Sequence, residues 1–379
     1  MFPYVVCFSI TIFCAFIDEM LLKNDKKLHY LFAFLVILIP AIFAGCRDYN
    51  VGTDVLVYAA KIYDEASSNG WYILLPDYDS RIEIVFLFLA YIASLLFSTA
   101  SGFLFLISLF INLFIYLALY RMRYVASICM GEFVYLLLYY NETYNMMRQC
   151  MAMAVVIFAV TYIFDRQYTK ALIWSFLAYF VHHSAIIGLG IVILMLYFRK
   201  LETKNSNVIA DKRIILLPMV LAVVALFFQD ISEALISSGV FSIEFYSTYL
   251  EGMGMFENKG FNIQHFLVYY SSVFFLFINY RNIQFFIGAV VIFLCDVSMY
   301  YLRLDLVWLY RISTWFFYIR ILFLSQMPLS LDLIGKRKLN YSWAITMLFM
   351  LSCLVFWYGI YVIIGENETY PYTSVILGI

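Results

Sequence analysis

The sequence predicts an all-α, polytopic integral membrane protein, a helical bundle of about 12–14 transmembrane or re-entrant helices. Of its 379 residues, 65% are hydrophobic and 13% are charged. The mean hydropathy of +0.89 is far above that of a soluble globular domain. Apolar runs of about 20 residues, the length that crosses a hydrocarbon core, follow one another along the chain and alternate with short basic clusters.

These apolar runs place the expected helices in order. They cover 2–22, 28–45, 82–97, 102–120, 125–140, 148–164, 168–183, 184–198, 214–229, 263–280, 283–301, 309–329 and 341–364. The first lacks the basic start and the cleavage site of a signal peptide, so we expect it to be retained as a span. Outer-face loops are expected near 46–81 and 230–262 within one polytopic domain, 1–379. The helical spacing of apolar residues after Asp54 predicts a short interfacial helix in the first loop.

Basic residues concentrate in cytoplasmic loops, so the basic clusters orient these helices. The clusters are Lys23/Lys26/Lys27, Arg121/Arg123, Arg166/Lys170, Arg199/Lys200/Lys204/Lys212/Arg213, Arg281 and Lys336/Arg337/Lys338. This orientation places Arg148 and His182 on the outer side. Between 28 and 120 this orientation is inconsistent. Three apparent spans separate Lys23/Lys26/Lys27 from Arg121/Arg123, whereas two cytoplasmic clusters must be separated by an even number of crossings. Either one segment is re-entrant, or the loop 46–80 dips into the membrane, or one cluster breaks the rule.

The charges and cysteines argue against several other classes of protein. The 24 basic and 25 acidic residues give a net charge of −1, which offers no basis for binding a nucleic acid. The seven cysteines lie mostly inside apolar runs without C-x-x-C spacing, so neither a disulfide framework nor a zinc site is predicted. Motifs such as the P-loop and H-E-x-x-H are missing from the sequence. The sequence therefore offers no motif for a nucleotide cofactor or for a zinc ion.

A polar stretch, 141–152, lies between two long apolar runs and carries Arg148 at the mouth of a helix. An arginine there needs a counter-charge, a water-filled cavity or an anionic ligand. An ion pair with Glu142 or Glu132 would meet that need and hold two helices together. The neighbouring hydrogen-bonding residues exceed the need of one ion pair: Asn141, Thr143, Tyr144, Asn145 and Gln149. We therefore favour an anionic, hydroxylated, lipid-linked substrate as the partner of Arg148.

The segment from Arg47 to Asp54 follows the second predicted span directly. An arginine at a helix end, followed by a glycine-containing turn and an acid, offers a cation for a phosphate and a carboxylate for a sugar hydroxyl. The alternative is an interfacial arginine that snorkels and pairs with Asp48 or Asp54.

Two adjacent histidines, His182 and His183, lie at a predicted outer turn between two helices. Either one could exchange a proton near neutral pH as a general base, or could only cap helix carbonyls. Adjacent residues of a helix point about 100° apart, so the two rings do not easily face one site together.

Two arginines, Arg303 and Arg311, lie at the predicted outer mouth of later helices. They run against the positive-inside bias, which favours an anion-binding role. An ion pair of Asp296 with Arg303, or of Asp305 with Arg311, is the structural alternative.

Taken in order, these residues resemble the EpsG family of polytopic bacterial membrane proteins, which is similar to Wzy-type polysaccharide and O-antigen polymerases. The family pattern R-x-x-x-V-G-T-D-x-x-x-Y is matched by Arg47, Val51, Gly52, Thr53, Asp54 and Tyr58. The central R-Q-x-x-A is matched by Arg148, Gln149 and Ala152. The later F-H-x-S-A is matched by His182, Ser184 and Ala185, with Val181 in place of Phe. By this match, His182 is the histidine of the family pattern and His183 is its variable neighbour. The tail Tyr370-Pro371-Tyr372 resembles the P-Y that often closes members.

The resemblance implies a lipid-carrier glycosyltransferase with a fold similar to the GT-C-like architecture of O-antigen polymerases and ligases. It implies transfer of a glycan from undecaprenyl diphosphate to a hydroxyl of another lipid-linked repeat unit, at the outer face of the bacterial cytoplasmic membrane. No metal or nucleotide is expected. The implied partners are the lipid-linked repeat units and the lipid bilayer, with a chain-length regulator as a further candidate.

On this interpretation, preplaced arginines stabilise the diphosphate leaving group, because catalytic free energy is supplied best where charge develops. We expect Arg47, Arg148 and Arg311 to bind the diphosphate. The expected catalytic residues are His182, Arg148 and Asp54, with His182 or Asp54 orienting or deprotonating the acceptor hydroxyl. Since aromatic rings stack on sugar faces, the expected sugar contacts are Tyr58, Trp71, Tyr144, Gln149 and Tyr310.

Other functions compete with polymerisation. A ligase would use the same chemistry with a different acceptor, and nothing in the sequence separates the two. A flippase for lipid-linked sugars would line a path with Arg148 and Arg311, but the sequence shows no matching halves of the kind common in transporters. A membrane acyltransferase would carry its histidine deep in a span on the cytoplasmic side, whereas the predicted orientation puts His182 outside.

Overall fold

The computed structural model describes residues 1–24, 26–75, 82–204, 263–278, 283–302, 309–327 and 339–379. All regular structure in these ranges is helical, which confirms the predicted all-α membrane protein. The chain divides into two compact units, called unit 1 (Met1–Ile193 with Ile321–Ile379) and unit 2 (Leu194–Arg320). That residues 1–379 act as one domain stays a prediction. The expected helix 214–229 and the expected loop 230–262 lie outside the described residues.

The described helices lie close to the predicted positions. They are α1 (Phe2–Lys23), α2 (His29–Cys46), α3 (Ala60–Asn69), α4 (Ile84–Leu96), α5 (Ala100–Arg121), α6 (Ile128–Leu138), α7 (Met147–Phe164), α8 (Tyr168–Leu177), α9 (Ala185–Lys204), α10 (Ile263–Ile278), α11 (Phe286–Leu302), α12 (Leu309–Ile319), α13 (Ile321–Leu324) and α14 (Leu339–Trp357). A π-helical turn, Val55–Ala59, leads into α3, so the short helix predicted after Asp54 is present. The expected helix 309–329 is interrupted at Arg320.

Helix α7 is the central helix of unit 1. Every residue of α7 except Arg148 is buried, and α5 and α8 both pack against it. Such an all-round apolar helix is stable only when protein covers every face. The exposed fraction of the Arg148 side chain is 26%, so the first turn of α7 is where this helix opens to its surroundings.

Helix α4 resolves the topology that the charge pattern left open. Its 13 residues span about 20 Å, less than the hydrocarbon thickness of about 30 Å. It begins beside Arg148, which pairs with Glu83. At its other end, the hydroxyl of Tyr63 on α3 donates to the carbonyl of Phe97, the residue after α4, at 2.6 Å. Helix α5 then starts against the end of α2, since a side chain at Gly45 would meet the Cβ of Phe105 at 2.6 Å. Both ends of α4 therefore lie at one end of unit 1, which is the arrangement expected of a re-entrant segment.

With α4 set aside, α2 and α5 give the even number of crossings that the basic clusters require. Lys27 and Arg123 indeed line the same cleft. Arg121 pairs with Asp165 after α7 at 2.6 Å, which adds the end of α7 to the same side. We call this side the basic end of unit 1, and the opposite side, where α7 begins at Met147, the site end.

The segment after α14 returns across the loop that follows α2 at the site end. This tail comprises residues 365–379. The backbone N–H of Asp48 donates to the carbonyl of Thr373 at 3.0 Å, and that of Gly52 donates to the carbonyl of Glu368 at 2.9 Å. The tail therefore supplies carbonyl acceptors for backbone N–H groups of this loop, which belongs to no sheet, and these hydrogen bonds fix the shape of the loop.

The same tail also holds the polar stretch before α7. The side-chain amide of Asn141 donates to Oγ1 of Thr369 at 2.8 Å. The side-chain amide of Asn145 donates to the carbonyl of Asn367, also at 2.8 Å. The first loop and the polar stretch are thereby joined through one segment.

Unit 2 contains a fully buried ion pair. Arg320 donates to Asp296 at 2.6 Å and to Oγ of Ser272 at 2.9 Å, and both charged side chains are 0% exposed. Asp296 thus has a partner that the sequence did not suggest, while Arg303 and Asp305 lie outside the described residues. A buried pair with an added hydrogen bond is the form in which such charges are tolerated.

Candidate active site

Glu83, the residue immediately before α4, is the centre of a cluster of charged side chains at the site end. Its side chain is 2% exposed, and its Oε2 lies 2.9 Å from Nη1 of Arg148. Nδ1 of His182 is hydrogen-bonded to Oε1. The backbone N–H of His183 donates to the same oxygen at 3.2 Å. One buried carboxylate therefore joins α4, α7 and the turn before α9.

The bond to Glu83 determines which nitrogen of His182 can act as a base. A carboxylate only accepts hydrogen bonds, so the bonded Nδ1 must carry a proton. In the neutral ring, Nε2 is then the nitrogen with a free lone pair. The ring is 20% exposed. A histidine oriented by a buried carboxylate in this way is the arrangement of a general base.

Glu83 is ionised at every physiological pH. Burial opposes the charged form and is the largest single influence on this carboxyl. The hydrogen bond with His182 and the positive charges of His182 and Arg148 together outweigh it, and lower the pKa of Glu83 from 4.5 to about 2. The protein therefore stabilises the carboxylate that both other residues require.

The lowered pKa of Glu83 predicts a pH-dependent contribution to stability. Its fall from 4.5 to about 2 corresponds to on the order of 3 kcal/mol of folding free energy. Because the folded-state pKa is the lower one, this contribution is complete above about pH 4.5 and is lost as the pH falls toward 2. We expect Glu83→Gln to lower the thermal unfolding midpoint of the purified protein at pH 7, and the difference from wild type to shrink between pH 5 and pH 3.

A matched control is Glu65→Gln, which removes a carboxylate that pairs with Lys61 at 3.8 Å on α3. Its unfolding midpoint should follow that of the wild type at each pH, because a partly exposed pair contributes little. A gap for Glu83→Gln that stayed constant down to pH 3 would contradict the assignment.

Three helices begin at this cluster. Helix α4 starts at Ile84, α7 at Met147 and α9 at Ala185. The first turn of a helix carries a partial positive charge. At α9 the N–H groups of Ala185, Ile186 and Ile187 already donate to the carbonyls of the turn before the helix, so there the partial charge is what remains for an anion. Together with the guanidinium of Arg148, these helix starts form a region suited to an anion such as a phosphate group.

Two further predicted residues reach the same cluster. The guanidinium of Arg148 lies 5.2 Å from the ring centre of Tyr58. The Tyr58 hydroxyl is hydrogen-bonded to Asp54 and lies 3.4 Å from the carbonyl of Asn145. Burial and the Asp54 carboxylate raise the pKa of Tyr58, so it stays a neutral hydrogen-bonding group. The structure thus brings Asp54, Tyr58, Arg148 and His182 together around Glu83, and the catalytic and sugar-binding roles assigned to them stay predictions.

Arg47 and Tyr144, in contrast, are engaged inside the protein. Arg47 is 3% exposed and donates to the carbonyls of Val51 at 3.1 Å and Ala44 at 2.6 Å. Its guanidinium lies 4.0 Å from the ring centre of Tyr144, which is fully buried. Arg47 is therefore neither snorkelling nor paired with Asp48 or Asp54, and in this arrangement it shapes the loop. Its predicted contact with a diphosphate, and that of Tyr144 with a sugar, stay predictions.

The other predicted contacts lie at several places. Gln149 is buried on α7. Trp71 is exposed and stacks on Tyr72 with ring centres 4.5 Å apart. Tyr310 is half-buried and Arg311 is exposed on α12 of unit 2. The roles assigned to these four residues stay predictions.

Gly52 is the tightest point of the loop between Arg47 and Asp54. Its φ of +90° is unfavourable for any residue with a side chain, and an added Cβ would lie 2.8 Å from Oδ1 of Asn145. We expect Gly52→Ala to destabilise the site end by about 1–3 kcal/mol and to lower activity, because the loop carrying Asp54 must move. The measurements are the unfolding midpoint and the rate of the glycan transfer that the family resemblance implies.

Gly70→Ala is the matched control for this substitution. Gly70 also has a positive φ, +59°, but an added Cβ would meet no atom within 4 Å. Its variant should show only the backbone strain and should retain activity. Equal loss of activity in both variants would show that the contact with Asn145 is unimportant.

Glu83 is the residue that sequence reasoning missed. Arg148 was matched with Glu142 or Glu132 because they are near in sequence, whereas its observed counter-charge is 65 residues away. Glu142 instead accepts a hydrogen bond from Tyr361 at 3.3 Å. One signal was available: Glu83 is an acid directly before an apolar helix too short to cross, where a charge needs a partner.

A family model described as the EpsG family matches residues 30–374, which is most of the chain. No curated protein and no solved structure matches the sequence. The matched range contains Glu83, Arg148 and His182, together with the three helices that begin around them.

Proposed function

The chain belongs to the EpsG family, and we propose that it is a polysaccharide polymerase. In this proposal it is a glycosyltransferase that moves a glycan from undecaprenyl diphosphate to a hydroxyl group of a second lipid-linked repeat unit. Exopolysaccharide or O-antigen synthesis is the setting, and neither a metal nor a nucleotide takes part.

One observation carries the proposal. An arginine and three helix starts, which favour a diphosphate, lie next to a histidine whose Nδ1 is bonded to a buried carboxylate. A glycosyl transfer needs both parts, one for the departing anion and one for the proton of the acceptor. A simple structural ion pair of Arg148 with Glu83 would need neither the histidine nor the helix starts.

The transfer follows from these groups. The acceptor hydroxyl oxygen attacks the anomeric carbon and gives its proton to Nε2 of His182, while Glu83 holds the resulting imidazolium. The bond between the anomeric carbon and the phosphate oxygen breaks, and the diphosphate leaves with the electron pair. Arg148 and the helix starts stabilise the negative charge on that oxygen. Asp54, through Tyr58, helps to hold Arg148 and the acceptor in place.

The proposed side of the membrane follows from the two ends of unit 1. The basic end carries Lys27, Arg121 and Arg123, which favour the cytoplasm. Glu83 and Arg148 lie at the opposite end. The reaction is therefore proposed for the outer face of the cytoplasmic membrane, where the glycan is assembled after its repeat units have crossed.

The test is a reconstituted reaction. Purified protein in detergent is incubated with lipid-linked repeat units and without nucleotide or metal, and the products are separated by size. A ladder of chains that grows with time supports the proposal, because the repeat unit then serves as donor and acceptor. Repeat units that stay single would reject polymerisation. A flippase only moves its substrate between compartments and forms no glycosidic bond, so in detergent solution it would produce no ladder.

A further inference from the structure

A second cluster of charged and aromatic residues lies at the basic end of unit 1, at the opposite end from Glu83. It is a cleft of about 340 Å³ between α1, α2 and α5. Three cationic residues line it: Lys23, Lys27 and Arg123. Nothing in the proposed glycosyl transfer uses these residues.

The charge of this cleft is strongly positive. Glu19 is the carboxylate among the residues lining it, and Glu19 already accepts hydrogen bonds from Lys23 at 2.9 Å and from Ser127 at 2.7 Å. In the part of the chain that the structure describes, no carboxylate pairs with Lys27 or Arg123. The cleft therefore has two cations to offer an anion.

Arg123 is held ready for such an anion. Its Nη1 donates to the carbonyl of Tyr120 at 2.9 Å, and its Nη2 donates to the Tyr124 hydroxyl at 2.7 Å. The guanidinium carbon also lies 4.2 Å and 4.3 Å from the ring centres of these two tyrosines. These contacts fix the guanidinium in one place before a ligand arrives, which lowers the entropic cost of binding.

The cleft lies at the level where the helices leave the apolar layer. Lys23 is the last residue of α1 and His29 is the first of α2, and both helices are long and apolar enough to cross a membrane. Tyr30 and Tyr124 on its rim are 66% and 78% exposed. Exposed tyrosines beside basic residues are typical of the headgroup region of a bilayer.

We propose that this cleft binds the phosphate of a negatively charged phospholipid headgroup, held by Lys27 and Arg123. The chemistry is a charge-assisted contact of a phosphate with an ammonium and a guanidinium. A lipid fits better than a free phosphate because the cleft opens at headgroup level, with aromatic residues beside it. The bound lipid would link α1, α2 and α5 at the end opposite to the site.

The test compares lipid retention by the full-length protein. Protein in mixed micelles with phosphatidylglycerol or phosphatidylcholine is examined by native mass spectrometry, which counts retained lipids. The wild type should prefer phosphatidylglycerol. Lys27→Gln with Arg123→Gln should lower this preference about 25-fold, at about fivefold for each basic residue near an anionic headgroup. A third arm replaces the lipid with inorganic phosphate.

Two matched variants keep the result interpretable. Arg166→Gln with Lys170→Gln removes two exposed cations beyond α7 that do not line the cleft, and should leave the preference within about twofold of wild type. Lys27→Arg with Arg123→Lys keeps both charges and should retain the preference. Unfolding midpoints measured without added lipid confirm that each variant is folded.

Several outcomes would overturn the proposal. Equal retention of the two lipids by the wild type would do so, as would an equal loss in the Arg166 and Lys170 control. Binding of inorganic phosphate that depends on Lys27 and Arg123, without selective lipid retention, would show an anion site and reject a lipid as its ligand.

Discussion

Replacing Arg148 with alanine will slow polymer formation by about 10²–10³-fold, the usual effect of removing one preorganised donor from a developing negative charge. Arg148 is the residue of α7 that is not buried, and it stands at the start of that helix beside the proposed diphosphate. The rate is measured as ladder growth with purified protein and lipid-linked repeat units. Single repeat units should persist while long chains disappear.

Two variants separate catalysis from folding. Arg148→Lys keeps a charge for Glu83 but loses the planar fork of donors, so we expect a folded protein with a rate at least about tenfold below wild type. Arg121→Ala removes an arginine of the basic end that pairs with Asp165, and should retain the rate. Long chains formed at the normal rate by Arg148→Ala would reject the assignment of Arg148 to the leaving group.

Replacing His182 with alanine will lower the rate by about 10²–10⁴-fold, the range expected for loss of a general base. The adjacent His183 is the matched control, because its backbone N–H, which donates to Glu83, survives the change to alanine. Nδ1 of His183 also lies 3.5 Å from Oε1 of Glu83, but the His183 side chain is 51% exposed, so the loss of this longer contact should cost little. The measurement is the rate of transfer at saturating repeat unit, across pH 5 to 9.

Glu83→Gln tests whether Glu83 positions His182 as the general base. The amide can no longer hold an imidazolium as a carboxylate does, so the rate should fall and its pH profile should change shape. A purely structural Glu83 would alter stability and leave the pH profile as it is. Equal rates for His182→Ala and His183→Ala would show that neither histidine is the base.

The fold was largely predictable because the length and apolarity of a span depend on residues close together in sequence. Helices α1, α2, α5 and α7 lie within a few residues of their predicted positions. The topology of 28–120 was not predictable, because α4 is as apolar as a true span and differs from it mainly in length. The neighbours of Glu83 and Phe97 show that both ends of α4 lie at the site end, and the sequence alone does not show this.

The candidate site was predictable in its cations and less so in its carboxylate. Arg148 and His182 follow apolar runs in which a charged group is conspicuous. Glu83 is separated from His182 by 99 residues, and no local pattern encodes a contact over that distance. Arg47 shows the converse: a residue can match the family pattern while its described hydrogen bonds hold the loop, at Val51, and the end of α2, at Ala44.

The return of the tail across the first loop has a consequence for the order of biosynthesis. Residues 367–373 bond to Asp48, Gly52 and Asn145, yet the ribosome makes them after every helix of unit 1. A nascent chain with α1 to α14 already inserted would still lack the segment that shapes the loop carrying Asp54. The loop that carries Asp54 therefore reaches its described arrangement only after residues 367–373 have been made and have folded back onto it, so its folding depends on a segment translated long after the loop itself.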